Sequence, residues 1–131
     1  MSEKNFSSQE LVKYEGHYSE NKFWGTLRKY AKKAGVRTVY YALVLYYTLM
    51  DPATPRKYKN VIMGALGYLI LPFDFIMDYL PGIGLVDDWG ALLAAVAYVI
   101  TAVTPEHKRQ ARSKLGEWFP KVSDGELGDL A

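Results

Sequence analysis

Residues 71–88 hold four aspartates (Asp74, Asp78, Asp87, Asp88), two prolines (Pro72, Pro81), two glycines (Gly82, Gly84) and no basic residue, inside the most apolar stretch of the chain. A carboxylate among apolar neighbours is costly unless it is hydrogen-bonded, paired or metal-bound. Pro72 and Pro81 are read as helix stops, and Gly82 and Gly84 supply the positive φ values needed to reverse the chain in few residues. The segment therefore predicts a chain reversal joining two apolar helices, a hairpin over about residues 55–104.

The flanking sequence reads as helix throughout. Phe23, Trp24, Leu27, Tyr30, Ala31 and Ala34 recur on one helix face, while Lys22, Arg28, Lys29, Lys32 and Lys33 take the other. Ser19 is the expected N-cap and Gly35 the expected stop. Residues 36–50 are apolar on every side past Arg37, which suits either a central core helix or lipid. Asp51-Pro52 ends that helix, and Thr54-Pro55 starts another with threonine as cap and proline at the first position. Asp87 or Asp88 is expected to cap a fourth helix, Trp89 to Val103, which has no polar side. Thr104-Pro105-Glu106 repeats the cap-and-proline device and opens a fifth, to about Phe119, where Ala111, Leu115, Trp118 and Phe119 oppose Lys108, Arg109, Arg112 and Lys114. No strand-like alternation of useful length occurs. The expected architecture is all-α with about five helices: a flexible polar arm at 1–18, one domain at 19–119, and an acidic tail at 120–131.

The chain contains no cysteine, which removes disulfides, thiolate catalysis and cysteine-based zinc sites. The net charge of +2 does not by itself imply nucleic acid, no base-reading motif is visible, and no nucleic-acid partner is expected. The placement of charge is more telling. Basic residues cluster at 28–37, at Arg56, Lys57 and Lys59, and at 108–114, whereas acidic residues collect in the 74–88 loop and the tail. With a hairpin over 58–104, the 56–59 and 108–114 clusters lie at one end and the acidic loop at the other, the asymmetry of the positive-inside rule. No run reaches the roughly twenty apolar residues of a spanning helix. The expectation is a hairpin that dips into or crosses a bilayer, basic ends on the cytoplasmic side, with the faces bearing Arg28, Lys29, Lys32, Lys33, Lys108, Arg109 and Arg112 at the headgroups, anchored by Trp24, Tyr30, Trp118 and Phe119. A soluble, cytoplasmic helical bundle serving protein–protein contact is the alternative.

Three readings compete for the aspartates. They cap helices; or Asp74, Asp78, Asp87 and Asp88 converge on magnesium or calcium; or one of them has a raised pKa and does proton work. The calcium-loop spacing is not matched. Neither His17 nor His107 sits in a paired-histidine metal motif, and His107 is read as a solvated residue in the first turn of a surface helix. No phosphate loop, nucleotide fingerprint or serine elbow is present. Tyr40-Tyr41 and Tyr46-Tyr47 read as packing residues with hydroxyls at the edge of the core.

The run of Pro72, Asp74, Ile76, Asp78, Pro81, Gly84, Asp87 and Asp88 resembles the YkvA-like family, a bacterial family of unknown function, over about residues 45–104. Leu71 stands where that family usually has serine, and Met77 where it has proline. The resemblance implies an all-helical, often membrane-assigned module with no established reaction. Two functions are carried forward: a non-enzymatic membrane-associated anchoring or interaction module, and a divalent-cation-dependent sensor or hydrolase using the aspartates. No catalytic residue and no small-molecule substrate is assigned.

Overall fold

Eleven consecutive residues from Val39 to Leu49 are buried except for Tyr47, and they make the middle of the structure. The computed structural model describes residues 11–12, 15–75, 84–127 and 130; the side chains of residues 71–75 and 84–90 lie outside the described set, as do those of Lys32 and Lys33. The helices are α1 (Glu20–Ala34), α2 (Val36–Met50), α3 (Arg56–Phe75), α4 (Gly84–Val99), α5 (Pro105–Leu115) and a short α6 (Asp124–Leu127). The fold is all-α, and no strand occurs among the described residues. All five other helices pack against α2, so the run that is apolar on every side is the central core helix.

Local chemistry accounts for the element ends. Ser19 accepts from the Lys22 N–H at 3.1 Å and caps α1. Gly35, at φ 96°, ends α1 and starts α2, a backbone conformation that a side chain would strain. Phe23, Leu27 and Ala31 turn inward, while Lys22, Arg28 and Lys29 stay exposed. The tyrosines of α2 put rings in the core and hydroxyls at its edge: Tyr40 donates to the Leu130 carbonyl at 3.1 Å, and Tyr46 to Glu20 Oε2 at 2.8 Å.

The hairpin is built from α3 and α4. Tyr58, in the first turn of α3, meets Tyr98, near the end of α4, edge to face at 5.5 Å, so the two helices run antiparallel. From Val61 to Ile70 every residue of α3 is buried except Met63, which is half-buried. Pro72 was expected to stop this helix; it lies within it, and helical backbone continues to Phe75. A proline there gives up one hydrogen bond in the last turn, where little helix remains to lose. Similarly, α4 begins at Gly84, so Asp87 and Asp88 sit inside the helix rather than ahead of it.

Parts of both chain ends are docked. Leu11 is fully buried and Glu15–His17 form a 3₁₀ turn against α3, so the flexible arm expected over 1–18 does not extend to residue 11. Leu127 and Leu130 are buried, and α6 packs on α2. Backbone crosses backbone at Gly64, where an added Cβ would collide with the Leu11 carbonyl. Gly64→Ala is therefore expected to destabilise by about 1–3 kcal/mol and to expose the segment around Leu11 to protease. Gly25→Ala in α1, with nothing within 4 Å of its new methyl, is expected to stabilise by about 0.5–1 kcal/mol. Urea melts of the two variants check the pair of signs.

Candidate functional site

The aspartate motif is placed by backbone alone. Asp74 lies in the last turn of α3 and Asp87 and Asp88 in the opening turns of α4. Negative charge near the start of α4 suits the helix dipole, while Asp74 sits at the unfavourable end of its helix. Gly84 opens α4 rather than standing before it. Asp78, Pro81 and Gly82 lie outside the described residues, as do the side chains of Pro72, Asp74, Asp87 and Asp88. Among the described residues no group of three or more His, Asp or Glu side chains is placed to hold a metal ion.

Most of the described basic residues expected at the headgroups are exposed. Arg28 and Lys29 are exposed on α1, and Lys108 is half-buried on α5. Arg109 grips Glu106 through two nitrogens, and an Arg112 guanidinium nitrogen reaches the Val122 carbonyl at 3.5 Å. Three of the four expected aromatic anchors pack internally, and the side chain of Tyr30 lies outside the described set. Trp24 stands edge-on to Tyr46 at 4.8 Å and 6.3 Å from Trp118, with the Lys114 ammonium 5.2 Å and 5.8 Å from the two indoles. Trp24, Trp118 and Phe119 all pack against the core, so these helices present charge with their bulky residues turned inward.

The least expected feature is a polar junction at the ends of α2, α3 and α5. His107 is 3% exposed. Thr104 caps α5, accepting from the His107 N–H at 3.1 Å, while the Thr104 N–H donates to His107 Nδ1 at 3.1 Å, a capping box with histidine in the slot usually held by Glu or Gln. Because Nδ1 accepts, the hydrogen-bond pattern assigns the ring proton to Nε2, which donates to Asp51 Oδ2 at 2.8 Å. Asp51 Oδ1 takes the Ala53 N–H at 2.9 Å. Thr54 does not cap α3 with its side chain; its hydroxyl turns back and donates to the Thr48 carbonyl at 2.7 Å. The ordering of the chain at Thr104-Pro105-Glu106-His107 carried the signal for the box. What the sequence could not show was that Asp51, 56 residues away, would turn the capping histidine into a buried one.

Thr48 Oγ1, 3.2 Å from His107 Nδ1, completes a hydroxyl–imidazole–carboxylate series. It is not a nucleophile. Thr48 is fully buried and its hydroxyl donates to the Val44 carbonyl at 2.8 Å. A cleft of about 390 Å³ adjoins the junction, lined by Asp51, Thr54, Tyr58, Thr101 and Thr104 among others, but neither Thr48 nor His107 lines it. The junction holds three helix ends together, with Thr48 and His107 sealed behind the cleft wall.

The remaining feature is a surface. α4 buries Ala91, Leu92, Ala95, Val96 and Val99, and its other side is apolar too. Leu93 is 41% exposed, Tyr98 41% and Ile100 46%, with Ala97 exposed between them. Positions 93, 97 and 100 follow the i, i+4, i+7 spacing of one helical stripe, continued by Ile100 in the 3₁₀ turn Ile100–Ala102.

The hairpin also carries a family match. The family described as "Protein of unknown function (DUF1232)" matches residues 59–94. Residues 59–94 of the hairpin are similar to that family. The DUF1232 match runs from Lys59 in α3, through the aspartate motif, to Ala94 in α4, and so takes in Leu93 but ends before Tyr98 and Ile100. No curated protein and no solved structure matches the chain.

The junction gives two stability predictions. The Asp51 carboxyl is held below its ordinary value, first by the Ala53 N–H and then by His107. A carboxylate depressed in the folded state stabilises fully above its unfolded pKa of about 3.9 and loses that contribution as pH falls through the lower folded value. Asp51→Asn should therefore lower the melting temperature at neutral pH, and the gap from the wild type should close in acid, below about pH 4. His107→Ala, which removes a cap partner and opens a buried void, should cost about 2–4 kcal/mol, and His107→Gln, which can refill the capping-box slot, clearly less.

Proposed function

We propose that this protein is a non-enzymatic, membrane-associated module that lies at the bilayer surface through the outward side of α4, in an anchoring or interaction role. The observation that carries this reading is the exposed stripe of Leu93, Ala97 and Ile100, with Tyr98 beside it, on a segment with no charged residue from Trp89 to Pro105. Scattered exposed apolar residues need no explanation, but a contiguous apolar face marks an interaction surface. Among the described residues, no helix is long and apolar enough to cross a membrane. α4, with 16 residues, spans about 24 Å at 1.5 Å per residue, short of a hydrocarbon core of about 30 Å. Its inner side is also occupied by protein. An interfacial position suits these dimensions, with the apolar face shallowly immersed and the basic ends toward the cytoplasmic leaflet.

Flotation with phospholipid vesicles tests the reading. The wild-type protein is expected to rise with the vesicles, and a Leu93→Glu/Ile100→Glu variant, folded by circular dichroism, to remain at the bottom. A wild-type protein that stays at the bottom and elutes as a dimer broken by the same substitutions would overturn the reading in favour of a self-association face.

A further inference from the structure

Arg56 and Lys57 occupy the first turn of α3, where the helix dipole disfavours positive charge, and that turn contains no acidic residue. Stability of the helix does not account for them. Both are exposed. Their position relative to the α4 stripe is fixed by a chain of contacts. The Lys57 ammonium lies 5.3 Å from the centre of the Tyr58 ring, that ring meets Tyr98, and the Tyr58 hydroxyl is 3.5 Å from Thr101 Oγ1. The basic turn therefore borders the end of the apolar face that carries Tyr98 and Ile100.

We infer that Arg56 and Lys57 make the α4 face selective for anionic lipid. This rests on the interfacial reading above and names the lipid class and the residues that recognise it. The acidic groups at this end are already engaged: Asp51 accepts from Ala53 and His107, and Glu106 is held by Arg109. Among the described residues the exposed cations of α1 have no comparable apolar stripe beside them, since Phe23, Leu27 and Ala31 are buried and Trp24 packs against Tyr46 and Trp118. Charge next to insertable apolar surface is what an amphipathic lipid contact requires, and the α3–α4 end supplies both.

The experiment measures binding to vesicles of phosphatidylcholine alone and with phosphatidylserine added, at low salt. The wild-type protein is expected to prefer the anionic vesicles. Arg56→Gln/Lys57→Gln should lower anionic binding roughly 25-fold, about fivefold for each cation near an anionic surface, and leave neutral binding unchanged. Arg28→Gln/Lys29→Gln on α1 serves as the control and should keep the preference. Equal wild-type binding to both vesicles would overturn the selectivity while leaving the interfacial reading intact, and binding to neither would end that reading itself. Loss of preference in the α1 variant but not in the α3 variant would also overturn the inference.

Discussion

Enclosing α2 on all sides uses up most of the covering capacity of a chain this size. From Val39 to Leu49 the helix is sheathed by α1, α3, α4, α5 and α6, and each of those helices spends an apolar face on it or on its neighbours. α3 is nearly as apolar between Val61 and Ile70, and the segment around Leu11 covers part of it at Gly64. Nothing among the described residues does the same for α4. Its inner face joins the core while Leu93, Ala97, Tyr98 and Ile100 remain outside. Among the described residues there are three apolar helices and covering elements for two, and the face left open is that of α4.

The polar junction explains how those helix ends are held at fixed angles in a chain that has no disulfide. A buried imidazole is costly unless both nitrogens are satisfied, and here one accepts from the start of α5 while the other donates to the end of α2. Thr54 ties the approach to α3 to the same point through the Thr48 carbonyl. Removing one partner leaves the others buried and unpaired, which is why single substitutions at the junction are costly. Its resemblance to a catalytic relay is one of order only, because the hydroxyl has no route to a substrate.

Much of this was legible in the sequence. The caps at Ser19 and Thr104, the stop at Gly35, the break after Met50 and the inward stripes of α1 and α5 all follow from local chemistry, and local chemistry is what a sequence displays. Pro72 misled because a proline in the last turn and a proline beyond it look alike without the backbone. Trp24 and Trp118 misled because amphipathic spacing shows which residues share a face but not whether a protein or a bilayer covers it. His107 was misjudged for the same reason, its burial being set by a partner 56 residues distant. The uniform apolarity of α2, α3 and α4 could not reveal which of them the fold would leave open.

The most direct measurement uses the absence of cysteine. Single cysteines introduced as Ala97→Cys on α4, Arg28→Cys on α1 and Ser113→Cys on α5, all exposed positions, can carry an environment-sensitive fluorophore. On adding anionic vesicles, the label at 97 should shift to the blue and become accessible to a lipid-borne quencher, while those at 28 and 113 report water. A shift at 28 or 113 with none at 97 would contradict the account, because the bilayer would then be meeting a face whose aromatic residues already pack against the core.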